Sequence, residues 1–166
     1  MFKTDIKNFL FNFLIILLIF FIDRVSKVYI LKLSEVSNGV DKYLTSYLNL
    51  YLIWNEGVAF GLFSTDSSFA YNLISIIIIV IVIILIMMII KNEGFKRLSL
   101  LFVLGGAIGN LFDRIYYSAV PDFIDFHIKD FHWFVFNVAD VFITLGVILL
   151  IFIEYNQNKK KYNEEK

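Results

Sequence analysis

The chain has 166 residues, no cysteine and a formal net charge of zero, and 59% of its residues are hydrophobic. This composition is too apolar for a soluble domain and indicates an integral membrane protein with one domain, residues 1–166. Without thiols there are no cysteine nucleophiles or disulfides, and the balanced charge leaves no basic surface for nucleic acid. We therefore expect no nucleic-acid partner and no cofactor.

Four apolar runs predict an all-α membrane protein with four transmembrane helices, since each run is about long enough to cross the hydrocarbon core. The predicted spans are residues 10–31, 70–90, 98–117 and 136–155. Nine of the 15 basic residues fall before the first span, between the second and third, or after the fourth. The excess of positive charge on this side predicts that both termini are cytoplasmic.

The first span carries Asp23 and Lys27 at its outer end. Residues four apart share one helix face, so these two side chains can form an ion pair. The alternative interpretation is that they only mark the end of the helix at the lipid head groups.

Residues 47–54 alternate in polarity, which predicts a half-buried strand outside the membrane. Asn55, Gly57 and an apolar stretch to residue 63 follow it. The two glycines of this stretch permit a turn and close packing. The segment is either a plain hairpin end with an apolar loop or a surface that receives an apolar substrate.

The third span differs from the second because it contains small and polar residues. Gly105 and Gly109 form a Gly-x-x-x-Gly pair, which is typical of close helix contacts. Asn110, Asp113 and Arg114 follow on its outer half. A charge at bilayer depth costs roughly 2.5–3.5 kcal/mol, so ionisable groups there indicate function.

The connection to the fourth span contains Asp122 and an alternating stretch, residues 124–128, that predicts a second strand paired with the first. It also contains the only two histidines, His127 and His132. A zinc site would need a third ligand beside them, so we expect two solvated histidines in a surface loop and no metal site. Asn137 and Asp140 then open the fourth span.

The predicted topology brings all these polar residues to the outer leaflet. Two carboxylates that lie close together share a proton, and such a pair can hydrolyse a peptide bond: one acid deprotonates water and the other protonates the substrate. Asn110 and Asn137 can orient the acids, and Arg114 can hold a carboxylate such as Asp113. From the residues alone, Asp113 and Asp122 are equally suited to pair with Asp140.

Two other classes of protein use similar features. An ion-coupled transporter also places carboxylates in the membrane, but it predicts acids across the whole bilayer, and the second span has none. A membrane scaffold uses Gly-x-x-x-Gly contacts, but it gives no reason for Asp122 and Asp140.

Five segments in order resemble the lipoprotein signal peptidase family, or signal peptidase II, which are aspartic membrane proteases of bacteria. The matching segments are residues 23–27, 55–60, 105–114, 120–125 and 136–140. One departure is Pro121, where the family usually has a second valine before its aspartate. Proline removes a backbone donor, but an extended chain is expected there in any case, so we treat it as tolerated variation.

The resemblance implies that Asp122 and Asp140 are the catalytic pair. It implies supporting or substrate-binding roles for Asp23, Lys27, Asn55, Gly57, Asn110, Asp113, Arg114 and Asn137. The implied reaction removes the signal peptide of a prolipoprotein on the amino side of a diacylglyceryl-modified cysteine, with globomycin-type compounds as inhibitors.

The resemblance further implies a small extracytoplasmic β element and a short helix over the site. Together with the spans, it predicts a monomeric multi-pass protein in contact with lipid in the bacterial cytoplasmic (inner) membrane. The active site is then expected at the outer leaflet.

Overall fold

The structure is a computed structural model that describes residues 6–37, 39–57, 67–129 and 131–164. Four helices dominate it, and each contains a stretch long and apolar enough to cross a membrane. They are α1 (Ile6–Ser37), α2 (Ser67–Lys91), α3 (Gly94–Tyr117) and α4 (Val138–Glu164). The predicted helical membrane protein with four spans is confirmed.

The helix ends differ from the predicted spans. α1 and α4 continue beyond residues 31 and 155 because Lys, Glu and Gln, which follow the apolar runs, are good helix formers in water. α4 begins at Val138 rather than at residue 136, because Phe136 is still part of a strand.

A four-stranded antiparallel sheet accompanies the helices, with its strands side by side in chain order. The strands are β1 (Asp41–Tyr43), β2 (Leu48–Asn55), β3 (Val120–Ile128) and β4 (Phe131–Phe136). β2 and β3 correspond to the two predicted strands, although β3 begins four residues earlier. β1 and β4 were not predicted, and the predicted short helix beyond Gly57 lies outside the described residues.

The sheet is joined directly to α3, which carries Asn110, Asp113 and Arg114, and to α4, which carries Asp140. α3 ends at Tyr117, and the left-handed backbone of its C-cap residue Ser118 (φ 59°) turns the chain into β3. β4 passes through Asn137 into α4. Asp122, near the start of β3, and Asn137, between β4 and α4, therefore lie beside these two junctions.

Glycines let α3 lie close to α1 and α4. A Cβ added at Gly105 would come within 2.9 Å of Ile19, and one at Gly109 within 2.7 Å of the Asp23 carboxylate. At Gly106 a Cβ would collide with the backbone carbonyl of Ala139. The close contact predicted from Gly-x-x-x-Gly is present, and it joins α3 to α1.

Candidate active site

Two reciprocal hydrogen bonds between Asn137 and Asp140 cap the N-terminus of α4. The Asn137 Oδ1 accepts a bond from the Asp140 backbone N–H, and the Asp140 Oδ2 accepts one from the Asn137 backbone N–H, both at 3.1 Å. This arrangement is a capping box, in which each side chain satisfies a backbone donor of the other residue. The Asp140 carboxylate is thereby fixed at the helix N-terminus, where the helix dipole stabilises negative charge.

The same asparagine also holds Asp122. Asn137 Nδ2 donates to Asp122 Oδ1 at 2.6 Å, and Asn55 Nδ2 donates to Asp122 Oδ2 at 2.9 Å. Asn137 is fully buried, and Asp122 is 2% exposed. One amide therefore connects two carboxylates from different elements, β3 and α4.

Burial raises the pKa of the Asp122 carboxyl group to about 6. The hydrogen bonds from Asn55 and Asn137 oppose this rise, while the charge of nearby Asp140 adds to it and that of Lys27 opposes it. A carboxyl group whose pKa lies near neutrality can carry a proton to and from a substrate under physiological conditions.

Asn110 connects Asp140 to a buried cation. Its Nδ2 donates to Asp140 Oδ1 at 2.8 Å, and its Oδ1 accepts a bond from Lys27 Nζ at 3.0 Å. Because the Lys27 ammonium can only donate, the amide oxygen of Asn110 faces it, and the amide nitrogen faces Asp140. The predicted role of Asn110 in orienting an acid fits this geometry.

Lys27 is fully buried and is neutralised by carboxylates from two helices. Its Nζ lies 2.9 Å from Asp23 Oδ1 and 2.6 Å from Asp113 Oδ2. The predicted ion pair between Asp23 and Lys27 is confirmed. The alternative, that they only mark the end of the helix at the lipid head groups, is wrong, because both side chains are fully buried and α1 continues to Ser37. Asp23 Oδ1 also accepts a hydrogen bond from the Ala139 backbone N–H at 3.0 Å, which ties α1 to the start of α4.

Asp113 has two cationic partners, since its Oδ1 lies 2.5 Å from Arg24 Nη1 and its Oδ2 contacts Lys27. Asp122, by contrast, shares Asn137 with Asp140. The geometry therefore favours Asp122 over Asp113 as the partner of Asp140. Arg24 was not among the predicted site residues, although its position beside Asp23 was a signal for it.

Gly57 and Arg114 meet beside Asn55. The Asn55 Oδ1 accepts a hydrogen bond from the Gly57 backbone N–H at 2.8 Å, and Gly57 has a φ of +82°, which favours glycine. A Cβ at this position would lie 3.0 Å from Arg114 Nη1. Gly57 thus lets the buried guanidinium lie directly against the turn that follows β2.

The departure at Pro121 is accommodated by the sheet. Pro121 is the second residue of β3 and lies opposite Trp54 of β2, so the backbone is extended there, as expected.

The expectation of two solvated histidines in a loop is wrong. His127 lies in β3 and is 6% exposed, while His132 lies in β4 with half of its side chain exposed. His127 does fall within the predicted strand, residues 124–128, but the alternation there places the apolar residues on the buried face. In the structure Asp125 and His127 are buried, while Phe126 and Ile128 are exposed. β4 was not predicted, because it alternates poorly in polarity.

A sequence profile of the family described as signal peptidase (SPase) II matches residues 15–155. The chain belongs to the signal peptidase II family. Membership makes it a protease with a signal peptidase II role, and none of these findings favours the ion-coupled transporter.

Relatives support the same assignment. The chain is 56% identical over 163 residues to the lipoprotein signal peptidase of Pelagibacter ubique (strain HTCC1062), covering 98% of each chain. It is 40% identical over 144 residues to that of Burkholderia multivorans (strain ATCC 17616 / 249), covering 83% of each. A solved bacterial membrane enzyme, determined by the in meso method, is 29% identical with a TM-score of 0.73 over 90% of each chain.

Proposed function

We propose that this signal peptidase II is an aspartic endopeptidase that removes signal peptides from bacterial prolipoproteins, with Asp122 and Asp140 as its catalytic residues. The cut falls on the amino side of a cysteine that carries a diacylglyceryl group. One observation carries the assignment of the residues: Asn137 binds both carboxylates, one through its amide nitrogen and the other through its capping box. The names of the curated relatives support the substrate class.

The different surroundings of Asp122 and Asp140 support different catalytic roles for the two acids. Asp140, at the helix N-terminus, takes a proton from water, and the resulting hydroxide attacks the scissile carbonyl carbon. Asp122, whose pKa is raised by burial, gives its proton to the carbonyl oxygen. Asp140 then protonates the leaving nitrogen as the C–N bond breaks, and Asp122 recovers its proton from the collapsing diol.

The fixed donors around the dyad reduce the reorganisation that each step requires. Asn110 and Asn137 hold Asp140, while Asn55 and Asn137 hold Asp122. Buried Lys27 and its carboxylate partners keep Asn110 in place. Preorganised polar groups of this kind stabilise charge that develops in a transition state.

The distribution of the basic residues supports a location and an orientation for the enzyme. Both termini lie in the cytoplasm, the sheet is extracytoplasmic, and the dyad lies at the outer leaflet of the bacterial cytoplasmic (inner) membrane. At this depth the diacylglyceryl chains of the substrate stay in lipid while the peptide reaches the dyad. The enzyme acts as a monomer without a cofactor in catalysis, and globomycin-type compounds inhibit it.

The test is cleavage of a diacylglyceryl-modified prolipoprotein peptide by the full chain in detergent. Asp122→Asn and Asp140→Asn keep the size of each side chain and remove the acid, so each should lower kcat by at least about 100-fold. The exposed Asp41 of β1 offers a matched control, since Asp41→Asn makes the same chemical change away from the dyad.

Near-normal activity of either dyad variant would remove that residue from the catalytic pair and make Asp113 the next candidate. A wild-type enzyme that cleaves the peptide equally well without its diacylglyceryl group would overturn the proposed substrate class.

A further inference from the structure

The hairpin of β3 and β4 brings a carboxylate and two imidazoles together. Asp125 and His127 are two residues apart on β3, so they point to the same face of the sheet. His132 of β4 lies directly opposite His127 in the strand register. One ligand atom from each of these three residues lies within 4.8 Å of the other two.

The distances within this Asp-His-His cluster suit a metal ion. Asp125 Oδ2 lies 2.7 Å from His132 Nδ1 and 3.8 Å from His127 Nδ1. Tetrahedral zinc has bonds of about 2.0–2.2 Å to nitrogen and oxygen, which places neighbouring ligand atoms about 3.4 Å apart. The two observed distances lie on either side of this value. The shorter one is a hydrogen bond between His132 and Asp125, and a bound ion would take the place of its proton.

Two polar atoms of the cluster have no hydrogen-bond partner within the described part of the chain. They are His127 Nδ1 and Asp125 Oδ1, and their side chains are 7% and 3% exposed. A third such atom, Asn49 Oδ1, belongs to the residue directly opposite Asp125 on β2. Burying polar atoms without partners is costly, and an ion bound among them would remove that cost.

We propose that Asp125, His127 and His132 form a binding site for Zn²⁺ or a divalent transition-metal ion with the same ligand preference. Two imidazoles and a carboxylate are typical zinc ligands, whereas Mg²⁺ and Ca²⁺ prefer sites made only of oxygen. The fourth position is open to water beside the half-exposed His132, or to the amide oxygen of Asn49.

The ion would cross-link β3 and β4, because its ligands come from both strands. Asp125 is three residues along β3 from Asp122, which corresponds to about 10 Å, so the ion does not touch the catalytic dyad. It joins the strand that carries Asp122 to the strand that leads into Asn137. The proposed peptidase chemistry needs no metal, and the metal site is independent of it.

The test is calorimetric titration of Zn²⁺ into the full chain in detergent, purified with a chelator and without a polyhistidine tag. We expect one ion per chain for the wild type. His132→Ala changes a half-exposed side chain, so the fold should survive, and the affinity should fall by at least about 100-fold, because loss of outer-shell partners alone costs 10–100-fold. His127→Ala should weaken binding similarly.

Two controls separate this site from other carboxylates. Glu35→Gln removes an exposed acid at the end of α1 and should bind Zn²⁺ like the wild type. Asp122→Asn should also bind normally, which distinguishes the Asp-His-His cluster from the dyad. Zn²⁺ should raise the thermal unfolding midpoint of the wild type and leave that of His132→Ala unchanged.

Unchanged Zn²⁺ affinity in His132→Ala would overturn the proposal, as would the absence of binding to the wild type at micromolar Zn²⁺. Loss of binding in Asp122→Asn with retention in His132→Ala would overturn it too, since the ion would then lie on the dyad.

Discussion

Helices α2 and α3 have nearly the same length but opposite surroundings. In the most apolar window of α2 only 11% of residues are buried within the protein, against 61% for α3. The α2 sequence is apolar on all sides. Such a helix is stable in lipid, but it has no feature that favours contact with one particular helix over another. In α3, by contrast, Gly105, Gly106 and Gly109 pack against specific atoms of α1 or α4, and Asn110 and Asp113 bond to side chains of those helices.

The largest expected effect, a loss of stability, comes from breaking the buried ion pairs of Asp113 on α3. Asp113→Ala leaves Lys27 and Arg24 without one of their two carboxylates, and removing one partner of a buried ion pair costs about 3–5 kcal/mol. Ile84→Ala on α2 is the control, since Ile84 is 44% exposed on a face suited to lipid. The measurement is the free energy of unfolding in detergent. Equal losses for the two variants would show that the buried charges do not stabilise the bundle.

A smaller effect is expected from adding one methyl group to α3. The new Cβ of Gly109→Ala would lie 2.7 Å from the Asp23 carboxylate, and overpacking of this kind costs about 1–3 kcal/mol. Val80→Ile also adds one methyl group, but to an exposed position of α2, and should change stability by less than about 0.5 kcal/mol. Thermal unfolding of both variants is the measurement, and a Gly109→Ala protein as stable as Val80→Ile would contradict the close contact.

The smallest effect concerns pH and distinguishes the two acids. In the proposed mechanism Asp122 must keep its proton to act as the general acid. Burial raises its pKa to about 6, so kcat/KM should fall about tenfold per pH unit above that value. Ile84→Ala should leave this profile unchanged, because α2 has no ionisable residue from 73 to 90. A kcat/KM that rises from pH 6 to 8 would reverse the roles of Asp122 and Asp140.

Local patterns in the sequence predicted local structure well. The apolar runs predicted the four helices, and the spacing of Asp23 and Lys27 predicted their ion pair. β1 escaped prediction because it has only three residues, and β4 because Phe131, Phe134 and Phe136 do not alternate strictly with polar residues. Strands of this kind are defined by their pairing partners, which lie outside any short window.

The sequence allowed the residues of the site to be predicted, but not most of the contacts between them. No short pattern indicates that Lys27 crosses from α1 to Asp113 and Asn110 of α3, because more than eighty residues separate them. The capping box was visible in principle, since Asn137 and Asp140 have the right spacing just before an apolar run. Its connection to Asp122 depends on the register between β3 and β4, which places Ile124 opposite Phe136, the residue before Asn137. Only the folded chain defines this register.

Almost no other residue can replace Asn137, because its amide both donates to Asp122 and caps α4. Aspartate would lose the donor to Asp122 and add a third negative charge, and serine or threonine would cap α4 but could not also reach Asp122 with a second group. Glutamine places the same amide one methylene further from the backbone that it caps. An inhibitor that binds the two carboxylates held by this amide would therefore face little escape by mutation at Asn137, because a change that displaces the carboxylates also dismantles the dyad.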